Sequence, residues 1–388
     1  MFSITTFAQL LKGLPRGTFD KLVVKRNADK HCKRFGHWQH LVTMMYAQLS
    51  GTTGLRPLEA AFNSQKIHHY HLGVGQVRRS TLADANEKRP DTVFAETAAW
   101  LMTQVSRDLR RETKDLLYLL DSTSITLKGR EFDRWTEGTK TRRTQGVKLH
   151  VAMEAEQRLP VWSAMSAANV NDVELARSVP LEEGAIYVFD KGYCDYNWWN
   201  EIDQTNALFV TRFKANAAVD VVAERPLPAE RAGIVLSDQI VRFKHKQNSG
   251  RRNKYTNALR RVVVHRPDHD RPLILATNDM TSSALEIAQR YKERWGIELF
   301  FKWIKQHLKI KQFFGRSENA VRIQLLTALI SYLLVAILKK TAASTTTMWQ
   351  FLSELRATLF QRVQSEYARY RKRTKDRSEA LKTQLSLI

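Results

Sequence analysis

Residues 291–305 of this chain read Tyr-Lys-Glu-Arg-Trp-Gly-Ile-Glu-Leu-Phe-Phe-Lys-Trp-Ile-Lys, which on a helix gathers one carboxylate among groups that bind phosphate. At about 100° per residue, Arg294, Glu298 and Lys305 lie roughly 60°, 20° and 40° to one side of Tyr291, so all four share a narrow stripe. Two readings of that stripe are open. It is either a solvated face laced by i,i+4 charge pairs, or a phosphoryl-transfer site in which Glu298 binds a divalent ion and its neighbours grip a nucleic-acid backbone. Two more carboxylates favour the second. The apolar run Leu116 to Leu120 closes on Asp121, and the run Ala185 to Phe189 ends at Asp190. If both runs are neighbouring strands, their acids stand side by side at one sheet edge. Lys191, Gly192 and Tyr193 follow Asp190; glycine admits a close backbone, and lysine and tyrosine can meet phosphate. Cleaving a phosphodiester requires a deprotonated nucleophile and a neutralised leaving oxygen, and two divalent ions held by about three carboxylates supply both.

The elements that must position these groups follow from periodicity. Residues 1 to about 95 read as helical, with apolar stripes at Phe7, Leu10 and Leu11 and at Leu41, Met44, Met45 and Leu49. Leu55 to Phe62 forms a short helix, and the Gly73 to Gly75 turn leads to Ser80, placed to cap a second helix. With Arg78 and Arg79 at its start, that helix pair suits a helix-turn-helix DNA reader, although plain bundles use the same spacing. His68, His69 and His71 have no partner at ligand spacing and read as surface or DNA-facing residues. From residue 112 the pattern is extended. Leu116 to Leu120, Ser124 to Leu127, Val147 to Met153 and Leu159 to Ala167 read as successive strands, Asp172 as a helix cap and Ala185 to Phe189 as a parallel strand. Lys148 and His150 lie beside Asp121, either facing DNA or packing. Between Ala207 and Thr277 only strands are expected, with breaks at Pro226 to Pro228 and Gln247 to Asn253. Ser283 and Glu286 form a capping box that opens the helix of the Tyr291 stripe, which continues to about Leu308. The rest reads as helical and ends in a basic segment with Arg369, Arg371, Lys372, Arg373 and Lys375.

With 388 residues and 43% hydrophobic content, the chain can bury a full core. Lys and Arg outnumber Asp and Glu by 62 to 39, a formal charge of +23. The excess runs from Lys21 to Lys375, so the folded body itself should attract polyanions, long nucleic acid first. Membrane binding is not expected: the first residues carry neither a signal-peptide nor a lipidation pattern, and the apolar run Leu325 to Leu338 is too short to span a bilayer. Cys32 and Cys194 fit a reducing cytoplasm and exclude a disulfide framework or a cysteine zinc site.

Taken together, these residues resemble the DDE transposases of bacterial insertion sequences, in the branch marked by the YREK signature: Tyr, two residues, Arg, three residues, Glu, six residues, Lys. Tyr291, Arg294, Glu298 and Lys305 match it without a gap, and Asp121-Ser-Thr, Gly146-Val-Lys-Leu-His150 and Asp190-Lys-Gly-Tyr193 look like the preceding blocks. The resemblance covers nearly the whole chain. It implies an α/β fold with a ribonuclease H-like catalytic core interrupted by an all-β insertion and flanked by helical N-terminal and C-terminal regions. The expected divisions are a DNA-binding domain over 1–95, core over 112–206 and 281–316, insertion over 207–280, and a helical region over 317–388 that would mediate dimerisation, around Trp349, Phe351 and Leu352. It further implies that Asp121, Asp190 and Glu298 bind two Mg²⁺, or Mn²⁺, and that Tyr291, Arg294 and Lys305 contact phosphates. Trp295 would meet a displaced base, Phe243 or Tyr255 being weaker substitutes for an aromatic of the insertion. Asp133 and Asp172 are the rival carboxylates, set aside as a loop residue and a cap. The partners implied are double-stranded DNA, as transposon ends and target, and a second copy of the chain in the DNA complex. The compartment is the cytoplasm, with nucleoid association. A non-catalytic DNA-binding descendant is the competing reading, and an intact carboxylate set argues against it.

Overall fold

The computed structural model describes residues 4–113, 116–136, 145–214, 217–227, 233–244, 247–248, 251–267, 269–308 and 312–363. The basic segment from Arg369 to Lys375 and the break at Pro228 lie outside them. The helices before the first strand are α1 (Thr6–Leu11), α2 (Arg16–Lys25), α3 (His37–Ser50), α4 (Leu55–Ser64), α5 (His69–Leu72), α6 (Arg79–Lys88) and α7 (Thr92–Glu112). The chain divides into two compact units, and the division falls inside α7.

The second unit, Ala98–Lys311 with Arg316–Glu318, is built on one nine-stranded sheet. Its strands are β1 (Leu117–Thr126), β2 (Gly146–Glu154), β3 (Pro160–Ala167), β4 (Ile186–Phe189), β5 (Leu208–Arg212), β6 (Val219–Glu224) and β7 (Val235–Phe243). A separate short pair, β8 (Gln247–Asn248) and β9 (Arg251–Arg252), precedes β10 (Leu259–Val264) and β11 (Leu273–Thr277), which rejoin the main sheet. The order is β3-β2-β1-β4-β5-β11-β10-β7-β6. β1, β2 and β3 form an antiparallel meander, and β4 and β5 add parallel to β1. The remaining four strands continue antiparallel from β5. Short helices α8 (Arg130–Asp133) and α9 (Asp172–Ala176) precede β4, and α10 (Tyr196–Gln204) follows it, burying Trp198 and Trp199. β4 reads Ile-Tyr-Val-Phe with every residue buried, as a central parallel strand must when both faces are covered. Asp133 lies in α8.

The runs Leu116 to Leu120 and Ser124 to Leu127 are one strand, because β2 pairs with β1 along its whole length from Tyr118–Glu154 to Thr126–Gly146. Asp121 is therefore a mid-strand residue. The parallel partner β4 is shorter, so β1 continues past it. Gly146 makes the far end of this hairpin feasible: its φ is 156°, and a Cβ there would lie 2.1 Å from the Ile125 carbonyl oxygen.

After the sheet come α11 (Ala284–Glu293), α12 (Trp295–His307), α13 (Glu318–Thr341) and α14 (Met348–Ala357). The capping box of Ser283 and Glu286 is present at α11. The stripe spans α11 and α12, which meet at Arg294, where the dihedrals stay helical but the backbone bonds tighten, Arg294 N–H donating to Tyr291 O and Ile297 N–H to Arg294 O.

The first unit combines the chain up to Thr97 with Gln312–Gly315 and the chain from Asn319 onward. Segments near the first and last described residues are tied by backbone bonds: Phe7 N–H donates to Leu359 O at 2.8 Å, and Val363 N–H to Ile4 O at 2.9 Å. α13 passes close to the turn after α1, where a Cβ on Gly13 would meet Leu334 at 2.7 Å. At 24 residues α13 is longer than its apolar run and long enough to cross a membrane by length alone, yet 83% of its most apolar stretch is buried inside the protein. α6 begins at Arg79 with Arg78 as its cap residue, and Ser80 lies inside its first turn. His69 is buried, stacked on Phe62, with Nε2 2.9 Å from Phe62 O, so it belongs to the core and not to the surface. Leu352 is likewise buried, which leaves Trp349 as the exposed aromatic of α14. Asp29, Cys32 and His37 converge in this unit. These groups already have partners: Asp29 accepts from the His37 backbone and lies 2.6 Å from its Nδ1, and Arg89 donates to Cys32 Sγ at 3.3 Å.

Candidate active site

The strand register brings the two aspartates together. Leu120 of β1 pairs with Phe189 of β4, and the next residue on each strand is Asp121 and Asp190. β1 continues and carries Asp121 in a pair with Val151, with its Oδ1 accepting from Ser122 N–H at 2.8 Å. β4 stops, and Asp190 caps the tight turn Lys191–Tyr193, accepting from Gly192 N–H at 2.5 Å. A Cβ on Gly192 would lie 2.7 Å from Asp190 Oδ1, so a larger residue there would push the carboxylate aside.

Glu298, in the first turn of α12, comes to the same place because α12 packs on β1. Asp121, Ser122, Thr123, Glu298, Phe301, Lys302, Lys305 and Gln306 line an open cleft of about 340 Å³. Burial pushes the Asp121 carboxyl up to about 6; the Ser122 N–H and Arg294 oppose the rise, and the charges of Asp190 and Glu298 add to it. Three hard oxygen donors that repel one another form a set that a divalent cation would neutralise.

The stripe packs along the sheet at the edge of this cleft, part-buried and not a fully solvated face. Tyr291 is buried, with the Arg294 guanidinium over its ring at 5.8 Å and burial raising its hydroxyl. Arg294 donates to Glu298 Oε1 at 2.6 Å and lies 3.8 Å from Asp121 Oδ2. Lys305 donates to Thr123 Oγ1 and to Ser124 O on β1. Trp295 is 57% exposed, beside this cluster in sequence. Lys191 is exposed, whereas Tyr193 is 3% exposed and packs on Phe189 and Trp198. The phosphate contact expected of Tyr193 is therefore not open to it; its ring supports the turn that carries Asp190. Arg78 and Arg79 are exposed at the start of α6 in the first unit. Phe243 of β7 packs on Tyr196 of α10 with ring centroids 4.0 Å apart, and Tyr255 is buried against Phe243, so both serve packing.

Sequence reasoning weighed Asp172 as a rival carboxylate and set it aside as a helix cap, which it is not. The cap of α9 is Asn171, whose side chain accepts from Val173 N–H, and Asp172 is the first helical residue. Its Oδ1 accepts from Ser122 Oγ at 2.8 Å and from Lys148 Nζ at 3.1 Å. Lys148 also donates to Val170 O at 2.8 Å, and buried His150 bonds Ser166 Oγ at 2.8 Å, so both residues pack. Nothing local marks the link of Asp172 to β1 and β2, because Ser122 and Lys148 are far away in sequence.

A family model described as Transposase DDE domain matches residues 112–334, the segment that contains all three carboxylates. The chain belongs to the DDE transposase family. A second model, Domain of unknown function (DUF4372), matches residues 3–75 of this transposase. Among curated relatives, y4zB of Sinorhizobium fredii, named as a transposase, is 42% identical over 72% of this chain and 77% of its own length. A Geobacillus stearothermophilus protein named as a transposase for insertion sequence element IS5377 is 28% identical over 73% of this chain and 74% of its own. A third, from Synechocystis and named for element IS4SA, is 25% identical over 73% and 78%. A solved piggyBac transposase synaptic complex with hairpin DNA aligns at TM-score 0.44 and 12% identity over 94% of this chain and 80% of that one, a level that does not bear on the fold. Family membership implies DNA cleavage and strand transfer, and the DDE transposase domain is in general dependent on divalent metal ions.

Proposed function

We propose that this transposase binds the terminal inverted repeats of its own insertion sequence, cuts the DNA there and joins the freed ends to target DNA by two-metal phosphoryl transfer. The observation that carries the reading is the register that sets Asp121 beside Asp190, with Glu298 on the same cleft as Asp121. In this reading β1 to β5 are a ribonuclease H-like core, residues 207–280 hold the β insertion, and the three carboxylates hold two Mg²⁺ or Mn²⁺. Such ions, when bound, lower the pKa of an attacking water and neutralise a leaving oxygen.

The chain's own residues do the rest. Arg294 and Lys305 bring positive charge to the cleft rim, where scissile phosphates would be held. Exposed Trp295 offers a face for a displaced base. Exposed Lys191 follows Asp190 and would bind backbone on the other side. Residues 1–95, with Arg78 and Arg79, read the repeat, and the chain works as a homodimer on two ends. The test is cleavage of a plasmid carrying the element's ends. Asp121→Asn, Asp190→Asn and Glu298→Gln should each lower cleavage about a thousandfold or more, since metal ligation is worth several kcal/mol in the transition state. Cleavage at the parent rate by Asp190→Asn would overturn the assignment.

A further inference from the structure

Asp172 lies on no catalytic segment, yet its carboxylate touches the strand that carries Asp121 and lies beside the turn that follows Asp190. On the first side, Ser122, the neighbour of Asp121 on β1, donates to Asp172 Oδ1 at 2.8 Å. On the second, a Cβ built on Gly192 would lie 3.9 Å from Asp172 Oδ2 and 2.7 Å from Asp190 Oδ1, so both acids approach Gly192. Lys148 of β2 completes the arrangement, its ammonium 3.1 Å from Asp172 Oδ1 and only 16% exposed. His150, paired with Ser122 across β1 and β2, stands 3.8 Å from the same oxygen. An aspartate that merely capped α9 would point at the helix N-terminus, and Asn171 already does that.

We propose that Asp172 is a positioning residue of the metal-binding set: paired with Lys148, it clamps β1 at Ser122 against the Asp190 turn and fixes how Asp121 and Asp190 are presented to a divalent ion. This rests on the reading of Asp121, Asp190 and Glu298 as metal ligands. Groups that orient metal ligands by hydrogen bonds typically change metal affinity or activity by about 10–100-fold when removed. Asp172→Asn keeps the size and an acceptor for Ser122 but removes the charge that holds Lys148. Ser122→Ala cuts the link to β1 and leaves the Lys148 pair intact.

The experiment is calorimetric titration of the full chain with Mn²⁺, beside cleavage rate as a function of Mn²⁺ concentration, for the parent, Asp172→Asn, Ser122→Ala and Asp190→Ala. Asp172→Asn and Ser122→Ala should both weaken Mn²⁺ binding by about tenfold. Their cleavage should recover at saturating Mn²⁺, a separation of metal requirement from maximal rate that loss of fold would not produce. Asp190→Ala should lose measurable binding. Parent-like Mn²⁺ affinity in Asp172→Asn together with loss in Asp190→Ala overturns the role of Asp172 alone. Parent-like affinity in Asp190→Ala overturns the metal-ligand reading beneath it. If Asp172→Asn does not fold, Ser122→Ala carries the same test, and parent-like affinity there also refutes the clamp.

Discussion

The guanidinium of Arg294 donates to the Glu298 carboxylate at 2.6 Å, and its second terminal nitrogen stands 3.8 Å from Asp121. One cation thus sits between two acids of the candidate site, anchored on the buried Tyr291 ring. Arg294→Ala would leave Asp121 and Glu298 facing each other without it. Glu298 keeps about a third of its side-chain surface in solvent, so the cost is discounted to about 1–2 kcal/mol. We predict a melting temperature lower by a few degrees. Added Mn²⁺ should then raise the melting temperature of Arg294→Ala more than that of the parent, because a bound ion would supply the missing charge. Melting curves of the two proteins with and without Mn²⁺ check this, and superimposable curves would refute it.

How much of this was legible beforehand depends on the range of the interaction. Asp121 and Asp190 stand out because each closes an apolar run, and Ser283 with Glu286 announces a helix start through a pattern only a few residues long. Asp172 is visible as a rival acid yet reads as a cap, since Asn171 next to it is an equally good one and the partners that decide its role, Ser122 and Lys148, lie on β1 and β2. The direction of the Tyr291 stripe was also hidden. Its residue types look solvent-facing, yet Lys305 bonds to β1 and Tyr291 is buried, contacts that exist only once α12 has packed on the sheet. Nor could a pattern show that residues near Ile4 would bond to residues near Val363.

The antiparallel strands beyond β5 have their own stability determinant. Arg260 is 1% exposed and forks onto Asp238 at 2.8 and 2.6 Å, with further bonds to the carbonyl oxygens of Asp279 and Ser282. Arg260→Met leaves the buried Asp238 carboxylate with only Arg225, 3.7 Å away, and should cost about 3 kcal/mol. The double variant Arg260→Met with Asp238→Leu should recover most of that loss, because an apolar pair of similar volume carries no desolvation penalty. Urea denaturation of the single and double variants measures both. Equal stability of the single variant and the parent would remove the pair from the account.

Sharing of one unit by the N-terminal helices and α13 changes how DNA recognition should be tested. Deleting residues 1–95 takes away Phe7, Leu10 and Leu41, which are buried in the unit that contains α13, and so exposes apolar surface. We expect that deletion to aggregate instead of yielding a general DNA binder. Arg78→Ala with Arg79→Ala, both on exposed positions, should leave the melting temperature within about 1 °C. Binding to the repeat should weaken, and the salt dependence should fall by about one unit of slope for each lost phosphate contact. A soluble, monodisperse deletion variant would contradict the shared core, and an unchanged salt slope in the arginine variant would place DNA elsewhere.

Acid should loosen the first unit through His40. This residue is fully buried, its ring nitrogen Nε2 donates to Asn86 Oδ1 at 2.8 Å, and burial pulls its pKa down from 6.5 to about 3, with Arg89 and His37 adding to the fall and Asn86 opposing it. Its folded pKa lies below the unfolded one, so the neutral ring is favoured in the fold. The stabilisation is therefore whole above about pH 6.5 and is lost as pH falls toward 3, where the unfolded chain binds a proton that the folded one does not. Within that window each such histidine contributes a slope of about 1.4 kcal/mol per pH unit. His37 and His69, also lowered by burial, add in the same direction. Hydrogen exchange of α3 amides between about pH 4 and 6.5 reads the opening free energy of this unit. His40→Gln, which can keep a donor toward Asn86 without titrating, should flatten the pH slope by about one proton's worth, whatever it costs at neutral pH. The same slope in parent and variant would show that His40 is not the group that senses acid.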